Sequence, residues 1–250
     1  MNIFAHRGYS QKFPENTMVA FEEALAGACD GIECDVQLTL DKIPVIIHDE
    51  KIDRCSDGRG YVKDYTYQEL LDFDFAHYMP GPYGKQSIVT LSEVLTLVKY
   101  CGREVLLNLE LKNSVFDYKD LEQIILEETR DCDSKVKIIY SSFNHNSIRR
   151  LLKLRPDLNA VPLVDQALPD LARYVKSLGA KGVHASILIL NEEIIKNLLT
   201  NDLYVNVYTI NDIDLARVLE INQVSGIFTD NCLEMKEALT NGKNSGIDQA

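Results

Sequence analysis

The chain has 250 residues, with 38 acidic and 26 basic side chains, a formal net charge of −12 and 46% hydrophobic residues. That length supports a large core, and the balance of apolar and charged residues excludes disordered and collagen-like classes. The acidic surplus argues against non-specific binding of nucleic acid or an anionic membrane, so an anionic substrate would have to meet positive charge concentrated in one place.

Short β-rich runs alternate with helical patterns almost from end to end. The spacing predicts strands at Asn2–Ala5, Gly31–Leu38, Glu104–Leu111, Val136–Ser141, Asn159–Val164, Gly182–Ser186, Leu203–Thr209 and Ser225–Thr229. Most are short and rich in Val, Ile, Leu or Tyr, as buried parallel strands are. Amphipathic helices are expected between them. Thr17–Ala28 stripes Ala20, Phe21, Ala24, Leu25 and Ala28 on one side. Thr90-Leu91-Ser92-Glu93 opens another with a capping box, and Gly102 follows its end. Tyr118–Thr129 carries Leu121, Ile124, Ile125 and Glu128 on a stripe, and Asn144–Leu154 is stopped by Pro156. Asp170–Leu178, Glu192–Leu199, Asp212–Glu220 and Asn231–Leu239 complete the series.

Eight strands, each followed by a helix, predict a (β/α)8 TIM barrel, with residues 1–250 as a single domain. The alternative, a doubly wound open sheet, is disfavoured because no G-x-G-x-x-G follows the first strand. The stretch Asp41–Val89 breaks the rhythm. A β-like run, Ile43–Ile47, leads into a small insertion over approximately 50–89, which includes a capping-box helix at Thr66–Phe73. Insertions in βα loops lie on the functional face of a barrel.

No basic region followed by a long apolar stretch opens the chain, and no apolar run approaches the roughly 20 residues of a membrane span. The six cysteines form no C-x-x-C pair and do not cluster with histidine at zinc-ligand spacing, so they read as reduced apolar side chains. The expectation is a cytoplasmic protein. Oligomeric state leaves no mark in the sequence, and homo-oligomerisation stays open.

Polar residues at strand ends carry the chemistry. The first strand ends in His6-Arg7-Gly8, where glycine lets the backbone approach a ligand. Pro14-Glu15-Asn16-Thr17 follows, with Asn16 or Thr17 as a helix cap. In the second strand Glu33 and Asp35 are two apart and share one side between apolar neighbours. Two carboxylates inside a barrel are costly unless paired or metal-bound. The third strand repeats the device, with Asn108, Glu110 and Lys112 on one side. Glu110 could then join Glu33 and Asp35 as a third oxygen ligand, with Lys112 at the rim. Hard carboxylate oxygens without thiolate select a divalent metal ion, Mg²⁺ or Ca²⁺. His48 ends an apolar run, and with His6 it could flank a substrate as general acid and base. Of the other histidines, His145 belongs to a helix start, while His184 on the sixth strand faces either the core or the substrate.

Taken in order, His6-Arg7-Gly8, Pro14-Glu15-Asn16-Thr17 with Ala20-Phe21, Ile32-Glu33-Cys34-Asp35-Val36, His48-Asp49, Asn108-Leu109-Glu110-Leu111-Lys112, Ser141-Ser142-Phe143 and Thr229-Asp230 resemble the glycerophosphodiester phosphodiesterases over nearly the whole chain. The resemblance implies a (β/α) barrel with an insertion after the second strand. It implies metal-dependent hydrolysis of glycerophosphodiesters to sn-glycerol 3-phosphate and an alcohol, within lipid and glycerol metabolism. It also implies His6 and His48 as catalytic, and Glu33, Asp35 and Glu110 as metal ligands. Arg7 and Lys112 would bind phosphate oxygens, Glu15 would be a metal-near or orienting acid, and Asn16 a supporting residue. Two positions depart from the family pattern. Tyr208 stands where many members carry tryptophan against the glycerol or head group, and Arg54-Cys55-Ser56 replaces the usual Arg-Thr-Thr. A phospholipase C- or lysophospholipase D-like phosphodiesterase on the same barrel is the alternative, and a non-catalytic phosphodiester-binding barrel is the third reading.

Overall fold

The computed structural model describes residues 1–244, so the end of the expected 1–250 domain lies outside the described residues. The elements run β1 (Asn2–Ala5), α1 (Met18–Ala26), β2 (Gly31–Leu38), β3 (Pro44–Ile46), α2 (Tyr67–Leu70), β4 (Val89–Thr90) and α3 (Leu91–Tyr100). They continue with β5 (Val105–Leu111), α4 (Leu121–Glu128), β6 (Val136–Ser142), α5 (His145–Leu154), β7 (Ala160–Val164) and α6 (Leu171–Ser177). Last come β8 (Gly182–Ser186), α7 (Glu192–Thr200), β9 (Tyr204–Tyr208), α8 (Ile213–Ile221), β10 (Gly226–Thr229) and α9 (Cys232–Asn244).

β1, β2, β5, β6, β7, β8, β9 and β10 pair in parallel around a closed circuit, because β1 bonds both β10 and β2. This is the TIM barrel that the strand–helix alternation predicts. Strand alternation assigns each residue to a layer. On β2, Ile32, Cys34 and Val36 are fully buried in the main core between sheet and helices. Their neighbours Glu33, Asp35 and Gln37 face the barrel axis and are also buried. The deeper barrel interior is closed by Phe4, Ile139, Val161 and Phe228. Two polar pairs share that interior: Asn108 donates to Ser141 Oγ at 3.0 Å, and Asn206 to His184 Nε2 at 3.1 Å.

Between β2 and α3 the chain leaves the barrel. β3 runs antiparallel to β2 and β4 antiparallel to β3, so β2 continues into a small side sheet. Val45, Ile47, Ile52, Cys55, Val62, Leu70, Phe75 and Ile88 form a separate apolar cluster beneath it. Both capping boxes are present, at Thr66–Glu69 and Thr90–Glu93. The first helix is shorter than the expected Thr66–Phe73, since regular α-helix ends at Leu70.

The expected stripe on α4 needs one correction. Glu128 is exposed, whereas Glu122 is buried with Leu121 and Ile125. Its carboxylate is tolerated because Asn113, Ser147 and Arg150 all donate to it. All six cysteines are free thiols, and four of them are buried. No described helix is long and apolar enough to cross a membrane.

Candidate active site

The pocket opens where the strand C-termini meet. One wall is polar, built from His6, Arg7, Glu33, His48, Asn108 and Glu110; the other is formed by Phe143, Leu163, Tyr208 and Phe228. Five sequence-predicted site residues, His6, Arg7, Glu33, His48 and Glu110, therefore share one pocket wall, with Tyr208 opposite them, while Asp35 and Lys112 adjoin the wall without lining the pocket.

The acidic cluster follows from strand register. Asp35 lies opposite Glu110 and Glu33 opposite Asn108 across the β2–β5 pair. Carboxylate oxygens of Glu33, Asp35 and Glu110 all fall within 4.8 Å of one another. Burial, then repulsion from Asp35 and Glu110, pushes the Glu33 carboxyl well above its ordinary range. Glu110 is raised by burial and by Asp35, despite the 2.9 Å bond it accepts from Lys112. Burial alone would raise Asp35 too, but Arg7, Lys112 and His48 outweigh it and hold the carboxyl down at about 2. Glu33 Oε1 and Asp35 Oδ1 are buried without a hydrogen-bond partner. Buried carboxylate oxygens are ordinarily satisfied, and an all-oxygen donor set of this kind fits a hard divalent cation.

The loop after β1 is shaped by backbone needs. Gly8 has φ +82°, and a Cβ there would lie 2.7 Å from the Ala20 backbone. Arg7 and Asn16 hold left-handed φ values of 58° and 57°. For a bulky side chain such a conformation costs on the order of 1–3 kcal/mol and persists only where surroundings enforce it. Here the Arg7 amide donates to Glu33 Oε2 at 2.8 Å, and the Asn16 amide to the Arg7 carbonyl at 2.9 Å. Of the two cap candidates, Thr17 caps α1, while the Asn16 side chain donates to Asp35 Oδ2 at 2.9 Å. The Arg7 guanidinium lies 2.9 Å from Glu15 and 3.4 Å from Asp35. Lys112 reaches the cluster from the end of β5, with its side chain largely buried.

Each pocket histidine is backed by a carboxylate. His6 Nδ1 lies 2.7 Å from Asp230 Oδ1, and His48 Nδ1 lies 2.7 Å from Asp49 Oδ1. A carboxylate only accepts, so Nδ1 carries the proton in both rings and Nε2 is left for a ligand. Burial works against the Asp230 charge, but bonds from His6, Asn211 and Ser10 hold this carboxyl at about 2. The backbone under His48 is fixed by Gln37 from inside the barrel, whose amide faces the carbonyls of Ile47, His48 and Asp49.

Asp230, Asp49, Asn211 and Gln37 had no role assigned from sequence. Only Gln37 gave a usable signal, because it continues the inward alternation of Glu33 and Asp35. The other three sit in loops, where periodicity carries no direction. His184 is resolved as interior, fully buried against the Phe228 ring. His145 opens α5 and bonds Tyr174 and the Leu163 carbonyl.

A TIM barrel with buried carboxylates, basic residues and two carboxylate-backed histidines where its strand C-termini meet has the make-up of an enzyme of the barrel class. The model of the glycerophosphoryl diester phosphodiesterase family matches residues 6–234, and the chain belongs to that family. A glycerophosphodiester phosphodiesterase of Bacillus altitudinis is 37% identical over 230 residues, covering 91% of this chain and 94% of the relative. One from Caldanaerobacter subterraneus is 32% identical over 229 residues, covering 91% and 93%. Among solved structures, an Oleispira antarctica phosphodiesterase in complex with the product sn-glycerol-3-phosphate superposes with a TM-score of 0.91. It is 25% identical, with 96% of this chain and 97% of that chain covered.

Proposed function

We propose that this chain hydrolyses a glycerophosphodiester, such as glycerophosphocholine or glycerophosphoethanolamine, to sn-glycerol 3-phosphate and an alcohol. The observation that carries the reading is a pocket wall with two carboxylate-backed histidines and Arg7, backed by a cluster of three carboxylates that Lys112 touches. The similarity to a phosphodiesterase in complex with sn-glycerol-3-phosphate supports the same substrate class. The reading needs neither nucleic acid nor stable membrane association, and it fits a cytoplasmic protein.

Glu33, Asp35 and Glu110 would hold the divalent cation, Mg²⁺ or Ca²⁺. A cation bound there supplies positive charge against phosphate oxygens as negative charge builds in the transition state. Arg7 presents a planar fork to a phosphate oxygen pair, and Lys112 a point charge at the rim. One histidine takes the proton of the attacking hydroxyl at Nε2. The other, entering as an imidazolium protonated on both nitrogens, gives its Nε2 proton to the leaving alcohol oxygen. Asp230 and Asp49 accept from Nδ1 of the two rings, which fixes the ring orientation and stabilises the imidazolium of the acid before transfer and of the base after it. Tyr208 and Phe143, whose ring centroids lie 6.1 Å apart edge to face, form the apolar wall against the glycerol or the head group.

The test measures release of sn-glycerol 3-phosphate from a panel of glycerophosphodiesters with Mg²⁺ and with Ca²⁺. Release from at least one member is expected, with His6→Ala and His48→Ala each slower by about a hundredfold or more while still folded. No release with either ion overturns the reading, and near-normal turnover in either variant removes that histidine from the chemistry. Faster turnover of lysophosphatidylcholine than of glycerophosphocholine moves the assignment to a lysophospholipase D-like enzyme.

A further inference from the structure

Arg54 does not line the pocket, yet it touches both arms of it. Its Nε donates to Asp49 Oδ2 at 2.7 Å and its Nη2 to Asp49 Oδ1 at 3.1 Å. Its Nη1 donates to Glu15 Oε2 at 2.8 Å, and Nη2 also reaches Glu15 Oε1 at 2.7 Å. One guanidinium therefore clamps two carboxylates, each in a forked pair. Asp49 is the carboxylate behind His48, and Glu15 is the one that holds Arg7 at 2.9 Å. The contacts run His48, Asp49, Arg54, Glu15, Arg7, and they join the insertion to the loop after β1. Burial alone would raise the Asp49 carboxyl, but its bonds from Arg54 and His48 hold it at about 2, so it stays an anion beneath the imidazole.

The Arg54 side chain is 44% exposed, and ion pairs at that exposure add little to stability. Its value is geometric. His48 and Arg7 come from separate loops, and a misplacement of about 1 Å between reacting groups can cost about a hundredfold in rate. A guanidinium has the five donors and fixed plane needed to serve two carboxylates at once, whereas an ammonium does not.

We infer that Arg54 is a positioning residue, setting the orientation of His48 through Asp49 and its separation from Arg7 through Glu15. The inference rests on the reading of His48 as a catalytic histidine. To test it, kcat, KM for glycerophosphocholine and the melting temperature are measured for wild type, Arg54→Ala, Asp49→Asn, the double variant and His48→Ala. Arg54→Ala is expected to lower kcat by about 10- to 100-fold while KM changes by less than about threefold and the melting temperature holds. The double variant is expected to lose no more than the worse single variant, because both act along one chain of contacts. Arg54→Lys should lose nearly as much as Arg54→Ala, and it decides the same question if Arg54→Ala does not fold. An Arg54→Ala kcat within about twofold of wild type, or losses that multiply in the double variant, overturns the role of Arg54. Near-normal turnover in His48→Ala overturns instead the reading beneath it.

Discussion

His184 shows what the barrel interior does to a titratable group. It is fully buried, its Nε2 accepts from Asn206, and its Nδ1 has no partner. Burial drives its pKa from 6.5 down to about 3, so the ring is neutral in the folded protein at ordinary pH. The unfolded chain takes up a proton near pH 6.5 that the folded chain refuses until about pH 3. Stability therefore falls as pH drops through that window. Asp49 and Asp230 act in a lower window. Their folded values of about 2 lie below the ordinary 3.8, so the stability they contribute is lost only as pH falls from about 4 towards 2. Between pH 6.5 and about 4.5, His184 can thus be separated from both carboxylates. His184→Gln is expected to flatten the decline in unfolding free energy over that range, measured by urea titration at successive pH values. A slope equal to wild type would show that His184 does not carry the acid sensitivity.

At the scale of elements, the insertion carries a second small core, joined to the barrel by the β2–β3–β4 side sheet, by Ile46 and Val89 in the main core, and by a few polar clamps at the site. Its apolar cluster is separate from the main one, and Gln37, Arg54 and Tyr78 hold it to the site, with the Glu15 amide donating to the Tyr78 hydroxyl at 2.7 Å. Small clusters of this kind open locally at lower cost than the global fold. Ile52 is fully buried in it, and Ile52→Ala should cost about 2–5 kcal/mol. That loss falls on the unit carrying His48, so heating should abolish turnover several degrees before the far-ultraviolet signal of the barrel is lost. Coincident transitions would show that insertion and barrel unfold as one unit. The barrel elements were legible because their signals are local. Apolar runs such as Ala160–Val164 and caps such as Thr90–Glu93 carry strand and helix in a few residues. The acidic cluster was legible for a related reason, since alternation on β2 and β5 assigns Glu33, Asp35 and Glu110 to one side. The clamps were not, because Arg54 meets Glu15 across 39 positions and His6 meets Asp230 across 224. Loop residues have no period from which direction can be read.

For the whole molecule, the problem is charge. A protein of net charge −12 offers a hostile field to the anionic phosphate of a diester, and the repulsion is concentrated where three carboxylates crowd together. Arg7 and Lys112 together balance only part of that cluster, which leaves Glu33 and Glu110 pushed towards their neutral forms. A bound divalent cation would remove this strain and reverse the local field. Chelation should therefore abolish turnover, and Mg²⁺ or Ca²⁺ should restore it. The cation should also stabilise the fold by mass action, by about 2.7 kcal/mol at a hundredfold excess over its dissociation constant. In a chain of this size that corresponds to a rise of about 5–10 °C in melting temperature. Glu33→Gln separates the two sides of the argument. Gln still accepts from the Arg7 amide, but it removes one charge from the crowded cluster. Without added metal this variant should melt at or above the wild-type temperature, because repulsion is relieved. With metal it should gain little, because a ligand is lost. A wild-type melting temperature that does not respond to either ion, or a Glu33→Gln variant that responds as wild type does, would remove the cation from these carboxylates.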